Sequence, residues 1–368
     1  MTATPTDPNR RPRAARRPRG SVAAAVAVAV TFGALPGPSG GVGVRTAEAQ
    51  VTSRQVQRSI AMGVRYIRNC QRGDGSWTDH GSFTGGTTAL SLLALLTAGV
   101  GKDDPTVKAG LDSLLRTRTD RTYPAALKLM ALSAADPVAY AADIQRVADE
   151  LVRWQQDDGT WSYGGGAQKQ NRGDNSNTQY ALLGLHEAVK AGAKVPEAVF
   201  TRSDRWFRRT MSEDGAWKYV GNSGDKMGTM TAAAVASLHI TGGSLHHSRE
   251  KGYSDGVAPG CGRYDQDTHI LAGLEWLARN FSVAVPPGGQ GATLYYWFYA
   301  VERVGILTGN RFIGDRDWYR EISERLLIQQ HPVTGSWPGT PETAALYNTC
   351  FAVLFLAKGR LPVLVNKL

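Results

Sequence analysis

The stretch "QQDDGTW" at residues 155–161 is followed by a glycine-rich segment and then by the apolar run "NTQYALLGLHEAVKAG" at 177–192. Near-copies stand at 71–77 ("QRGDGSW"), 211–217 ("MSEDGAW") and 329–337 ("QQHPVTGSW"). Ahead of each lies an amphipathic segment ending in polar residues, as in "VADELVRWQQ" (147–156) and "ISERLLIQQ" (322–330), with apolar residues three and four apart. Behind each begins a more uniformly apolar segment that starts near a threonine: "TTALSLLALLTAG" (87–99), the run at 177–192, "MTAAAVASLHITGG" (230–243) and "ETAALYNTCFAVLFLAKG" (342–359). The pattern predicts a half-exposed helix, a Trp turn and a buried helix, written four times.

Two further pairs fill the gaps without the tryptophan. They are "DDPTVKAGLDSLLRTR" (103–118) with "YPAALKLMALSAA" (123–135), and "DTHILAGLEWLARNF" (267–281) with "ATLYYWFYAVERVGILTG" (292–309). Prolines at Asp104-Pro105, Asp136-Pro137 and Val195-Pro196 mark first helical turns, and Gly99, Gly192, Gly242, Gly309 and Gly359 mark C-terminal stops. Twelve helices in six pairs, spaced by roughly 40–60 residues, belong to a repeat architecture. An open solenoid needs a polar capping repeat at its end. The last buried helix here is as apolar as those in the middle, so the expectation is closure into a ring.

The four turns resemble the QW motif of the squalene-cyclase and protein-prenyltransferase β-subunit repeat family, over nearly all of 53–360. The resemblance implies an all-α fold, an α/α toroid (α6/α6 barrel) of six outer and six inner helices around a cavity open at one end. It also implies that Trp77, Trp161, Trp217 and Trp337 are structural fasteners between helices, as in the family, where a glutamine of the turn stacks on the indole.

Chemistry has to come from other residues, because a fold does not determine a reaction. The zinc prenyltransferases of this family hold their metal on an Asp-x-Cys and a His. Here the matching segments read "GATLYYWF" (291–298), with Ala292 and Leu294, and "YNTCF" (347–351), with Asn348. All three ligands are missing, so no metal and no cofactor is expected. The class II terpene cyclases carry D-x-D-D-T, in which an aspartic acid protonates an alkene or epoxide. The matching segment is "DNSNT" (174–178): Asp174 and Thr178 fit, while Ser176 and Asn177 replace the acidic pair. Asp265 and Asp267 in "DQDTH" precede an outer helix, where Asp267 reads as an N-cap. Asp174, Asp265 and Asp267 are thus the weak candidates for a catalytic acid. "PGCGRY" (259–264) resembles the "GCGEQ" of complement-like thioester toroids but lacks the glutamine that would trap Cys261.

Aromatic residues supply the remaining signal. Tyr295, Tyr296, Trp297 and Tyr299 share one inner helix, and Tyr180 and Tyr347 stand near the starts of two others, with Asn348 beside Tyr347. Inner helices face the cavity of a toroid, so these seven are the candidate ligand-binding residues, against a core-packing role for those that a helix turns outward. The connection 242–264 is expected to be a long loop carrying His246 and His247.

Charge and targeting complete the reading. The formal charge is +10. Half of it falls in the first 49 residues, where seven arginines face Asp7 and Glu48, and the rest is dispersed, so nucleic acid is set aside. That same segment has a basic region, the apolar run "SVAAAVAVAVTFGAL" from Ser21 and an Ala47-Glu48-Ala49 site, the pattern of an export signal. Residues 1–49 are therefore expected to be a cleaved signal peptide and 50–368 the toroid domain. The product would be periplasmic or extracellular, with no stable transmembrane span after cleavage and a membrane anchor if uncleaved. Cys70, Cys261 and Cys350 form neither a disulfide framework nor a zinc ribbon. The expected function is a toroid that binds an elongated apolar small molecule, an isoprenoid or lipid, without the family's usual catalysis. The alternatives are a diverged terpene cyclase or isomerase and a scaffold for a protein partner.

Overall fold

The computed structural model describes residues 51–79, 81–165, 172–250, 267–289, 291–339 and 342–358. Residues 1–49, expected to be a signal peptide, and Cys261, Asp265 and Gly359 lie outside these residues. Six half-exposed helices alternate with six buried ones. The outer set is α1 (Ser53–Asn69), α3 (Pro105–Arg116), α5 (Ala141–Trp154), α7 (Glu197–Thr210), α9 (Thr268–Asn280) and α11 (Trp318–Gln329). The inner set is α2 (Gly86–Thr97), α4 (Thr122–Ala135), α6 (Asn175–Lys190), α8 (Gly228–Glu250), α10 (Leu294–Thr308) and α12 (Glu342–Lys358).

Residue patterning explains the two layers. Helix α5 buries Ile144, Val147, Ala148, Leu151 and Trp154, a single stripe at helical spacing. Helix α2 buries every residue from Gly86 to Leu95, so it must have neighbours on all sides. Each inner helix packs on the next, in the order α2, α4, α6, α8, α10, α12, and α12 returns to α2. The ring is closed, and the molecule is an all-α toroid.

The Trp turns join the layers. The indole Nε1 of Trp77, Trp161, Trp217 and Trp337 donates to the carbonyl of Ile67, Leu151, Phe207 and Leu326 respectively, at 2.7–2.8 Å. Each acceptor lies near the end of the preceding outer helix. Each backbone N–H donates to a threonine Oγ1 on the following inner helix: Thr88, Thr178, Thr231 and Thr349, at 3.0–3.1 Å. One side chain therefore bonds a carbonyl in the last turn of the outer helix while filling the gap between layers. The glutamines bind sideways. Gln71 Nε2 reaches Thr106 O on α3, Gln155 Nε2 reaches Val199 O on α7, and Gln330 Nε2 reaches Ser59 O on α1. Each thus ties its turn to the next outer helix in the ring.

The two repeats without the tryptophan solve the same problem differently. In the second, the buried Lys128 of α4 donates from Nζ to Leu114 O at 2.6 Å and Thr117 O at 2.9 Å, covering the end of α3. In the fifth, Trp297 of α10 donates from Nε1 to Ser282 O at 2.9 Å, just past α9.

Several boundaries differ from those the sequence predicts. Asp104-Pro105 does open α3, with Asp104 capping Thr106 N. Asp136-Pro137 instead makes a turn ahead of α5, with Asp136 accepting from the amides of Val138 and Ala139. Pro196 is the N-cap residue of α7, one position before the helix. Gly242 is no stop: α8 runs on through it to Glu250, so His246 and His247 are helical, and the rest of the expected loop lies outside the described residues. A glycine inside a helix costs only about 1 kcal/mol, too little to end a helix of this length. A two-stranded hairpin, β1 (Lys218–Val220) and β2 (Ser223–Lys226), follows the third Trp turn.

Candidate functional site

The inner helices run parallel, so their N-terminal ends converge at one end of the ring. There a cavity of about 390 Å³ opens. Its wall carries five tyrosines, Tyr123, Tyr163, Tyr180, Tyr296 and Tyr347, with Phe83, Phe351, Leu90 and Leu127. Asn348 and Thr293 supply the other polar side chains. Among the described residues, no carboxylate, amine or guanidinium lines it.

The rings form a continuous panel. Tyr123 lies 4.4 Å from Tyr180, centroid to centroid, and 5.9 Å from Tyr163. Tyr180 stacks on Tyr296 at 6.1 Å, and Tyr296 faces Phe351 at 6.1 Å. Burial pushes the phenols of Tyr123, Tyr180 and Tyr296 well above their ordinary range, and that of Tyr347 up to about 12. All four are neutral hydroxyls at physiological pH. Tyr296 donates to Gln179 Oε1 at 2.9 Å, and Tyr347 accepts from Thr87 Oγ1 at 3.2 Å.

Of the seven aromatic-cluster candidates, Tyr180, Tyr296, Tyr347 and Asn348 meet at this cavity. Tyr295 and Trp297 do not. Successive helical residues turn by about 100°, so the neighbours of Tyr296 look outward. Tyr295 packs edge-on to Phe298 with its hydroxyl 3.4 Å from Gln329 Oε1, and Trp297 lies against Phe281. Tyr299 sits one turn deeper and lines a second cavity of about 290 Å³ at the opposite end of the ring. There the Arg303 guanidinium lies 5.3 Å above the Tyr299 ring and is paired with the buried Glu302. Lys358 shares that cavity, and the Arg303 charge together with burial lowers its pKa to about 8.

Four aromatic wall residues escaped sequence reasoning: Tyr123, Tyr163, Phe83 and Phe351. A signal existed for Tyr123, which stands at the start of an inner helix as Tyr180 does. Tyr163 follows Trp161 by two residues, in a turn whose side-chain direction no helical period reveals.

Asp174 is 4% exposed and forms the N-cap of α6. Its Oδ1 accepts from Asn177 N at 2.9 Å and Ser176 Oγ at 2.5 Å, and its Oδ2 accepts from Asn177 Nδ2 at 2.8 Å. It does not line the cavity. A hydrogen-bonded chain nevertheless leads from it to the wall: Ser176 Oγ lies 3.2 Å from Tyr219 Oη on the hairpin, and Tyr219 Oη lies 2.5 Å from Tyr163 Oη. Asp267 sits elsewhere, between outer helices. It caps α9 through His269 N at 2.9 Å and binds Arg208 at 2.6 Å. Burial opposes its charge, but the Arg208 hydrogen bonds and charge prevail and hold its pKa below the ordinary value. Asp265 lies outside the described residues.

No protein-family model matches the chain, and no curated protein matches it. Among solved structures it is similar to the apo type II terpene cyclase MstE from Scytonema, at 14% identity and a TM-score of 0.51, over 83% of this chain and 99% of that one. A variant of the same cyclase bound to its substrate, geranylgeranyl dihydroxybenzoate, matches at 12% identity and a TM-score of 0.52, over 83% and 97%. An inactive variant of an α-1,6-mannanase from Salegentibacter sp., in complex with α-1,6-mannotriose, matches at 10% identity and a TM-score of 0.54, over 82% and 98%. At these identities the likeness is one of fold: the chain has a terpene-cyclase-like α/α toroid, an architecture that also carries sugar chemistry.

Proposed function

We propose that the protein binds an elongated apolar molecule, an isoprenoid or lipid, in the aromatic cavity, and that it does so after export directed by residues 1–49. The observation that carries this reading is the cavity wall, which is built of phenol rings and hydrocarbon with no ionisable acid at its surface among the described residues. Aromatic faces and aliphatic side chains favour an apolar occupant with few polar groups. Asp174, the one carboxylate retained in the segment matching D-x-D-D-T, is turned onto its own helix end. Mass spectrometry of lipids that co-purify with the mature protein tests the reading. An apolar species well above the level on a control protein is expected; none would leave the scaffold role, with the outer ring binding a protein partner. Intact-mass analysis of the native protein checks export, since a full-length product would remove that part of the proposal.

A second reading, a diverged terpene cyclase, draws on the hydrogen-bonded chain from Asp174 through Ser176 and Tyr219 to Tyr163. That chain connects the one carboxylate of the matching segment to the cavity wall. Assay for cyclic products separates the two.

A further inference from the structure

The tyrosines of the cavity wall divide into two sets by what their hydroxyls do. Tyr163 is bonded to Tyr219, Tyr296 to Gln179 and Tyr347 to Thr87. The hydroxyls of Tyr123 and Tyr180 have no partner among the described residues. They are not sealed off by protein atoms either; both open on the cavity. Tyr180 is only 2% exposed, so its hydroxyl has little besides the cavity to meet. The two rings are 4.4 Å apart, one at the start of α4 and the other at the start of α6.

A buried hydroxyl left without a partner costs about 1–3 kcal/mol. Two on neighbouring rings of an otherwise satisfied wall mark a place where an acceptor belongs. Both phenols stay protonated, because burial raises their pKa well above 10, so both are donors. No cation lines the cavity among the described residues, so a phosphate or carboxylate would enter uncompensated.

We infer that the ligand of this cavity carries an uncharged oxygen head, a hydroxyl or carbonyl, held by the Tyr123 and Tyr180 hydroxyls while its hydrocarbon tail lies along the aromatic panel. This deepens the proposed function and rests on it. It separates the site from one built for a pure hydrocarbon or for an isoprenyl diphosphate.

Binding titrations from mixed micelles test it with three probes: geranylgeraniol, the hydrocarbon with that hydroxyl removed, and geranylgeranyl diphosphate. The alcohol is expected to bind roughly tenfold more tightly than the hydrocarbon, the worth of about one net hydrogen bond. The double substitution Tyr123→Phe with Tyr180→Phe should abolish that preference while leaving hydrocarbon affinity within about twofold, since only two oxygen atoms are lost. Tyr347→Phe, whose hydroxyl is already engaged, should keep the preference. If the double variant fails to fold, Tyr123→Phe alone reads the same ratio and should reduce it. Equal binding of alcohol and hydrocarbon, an unchanged ratio in the variants, or tightest binding of the diphosphate would overturn this inference alone. Binding of none of the three would overturn the cavity reading with it.

Discussion

Gly335, in the last Trp turn, lies against the carbonyl of Met62 in the first helix, so closely that a Cβ on Gly335 would stand 2.6 Å from Met62 O. This contact shuts the ring between the two ends of the chain. The same contact recurs inside the ring, where Gly75 meets Ala109 O, Gly159 meets Arg202 O and Gly215 meets Ala272 O. All four glycines have positive φ, between 77° and 94°. The turn glycine therefore answers two demands, a left-handed backbone and the next outer helix pressed against it.

Substituting alanine separates those demands. Gly99 also has positive φ, at 92°, but nothing within 4 Å of its would-be Cβ. Gly99→Ala should cost about 1–2 kcal/mol, the strain of the left-handed conformation alone. Gly335→Ala should cost clearly more, because the added carbon has backbone in its way. Chemical denaturation of the two variants checks the order. Equal losses would mean that α1 is not seated on the last turn.

Trp161 is wholly buried, with its Nε1 bonded to Leu151 O at 2.8 Å. Trp161→Ala should cost about 3–5 kcal/mol, the range for deleting a large core aromatic. Trp161→Phe retains part of the bulk but orphans the Leu151 carbonyl, and should fall between that variant and the wild type. An unchanged melting temperature for Trp161→Ala would remove the fastener from the account of the fold.

Much of this framework was legible in the residues. Trp, Gly and the following Thr recur in phase, because every repeat needs the same three contacts in the same place. The aromatic panel was legible only in part. Tyr180, Tyr296 and Tyr347 lie on helices, where a period assigns a face. Tyr163 and Phe83 come from the turns between helices, where direction is set by tertiary packing. Lys128 was not legible at all: a lysine in an apolar run gives no sign that its amine will cap the helix before it.

The buried lysines set a pH dependence. Burial, and secondarily the charge of Arg146, lowers Lys128 to about 8 from an ordinary 10.5; Lys358 is lowered to a similar value. Between pH 8 and 10.5 the unfolded chain holds more protons than the folded one, so stability should rise with pH across that window. The cavity tyrosines act oppositely above pH 10. Their folded pKa values are raised, so the folded chain then holds more protons and stability should fall. Melting temperature is thus expected to climb from pH 8 to a maximum near pH 10. Lys128→Met should lower stability at pH 7, because Leu114 O and Thr117 O lose their donor, and should flatten the climb by about half. A steady decline from pH 8 upward in the wild type would refute this.

The last prediction concerns Asp174 and the choice between binder and cyclase. A class II cyclase needs a protonated acid aimed at its substrate, its proton retained through burial or a neighbouring carboxylate. The carboxylate of Asp174 points along its own helix end, where it accepts from Asn177 N, Asn177 Nδ2 and Ser176 Oγ. The residues that would pair with it in a cyclase are here a hydroxyl and an amide. Both oxygens accept from donors of the first turn of α6, and Asp174 is not part of the cavity wall. Purified mature protein is therefore expected to give no cyclic products from squalene or 2,3-oxidosqualene. Asp174→Asn should lower stability by about 1 kcal/mol or less, since asparagine caps helices nearly as well as aspartate. Asn177 Oδ1 is buried without a partner and can accept from the new amide if that side chain turns over. Asp174→Ala should cost about 1–3 kcal/mol, because the Asn177 and Ser176 donors then lose their acceptor. Cyclic triterpenes formed by the wild type and absent from Asp174→Asn would replace the binder with a cyclase. The chain through Ser176, Tyr219 and Tyr163 would then be its route for the proton.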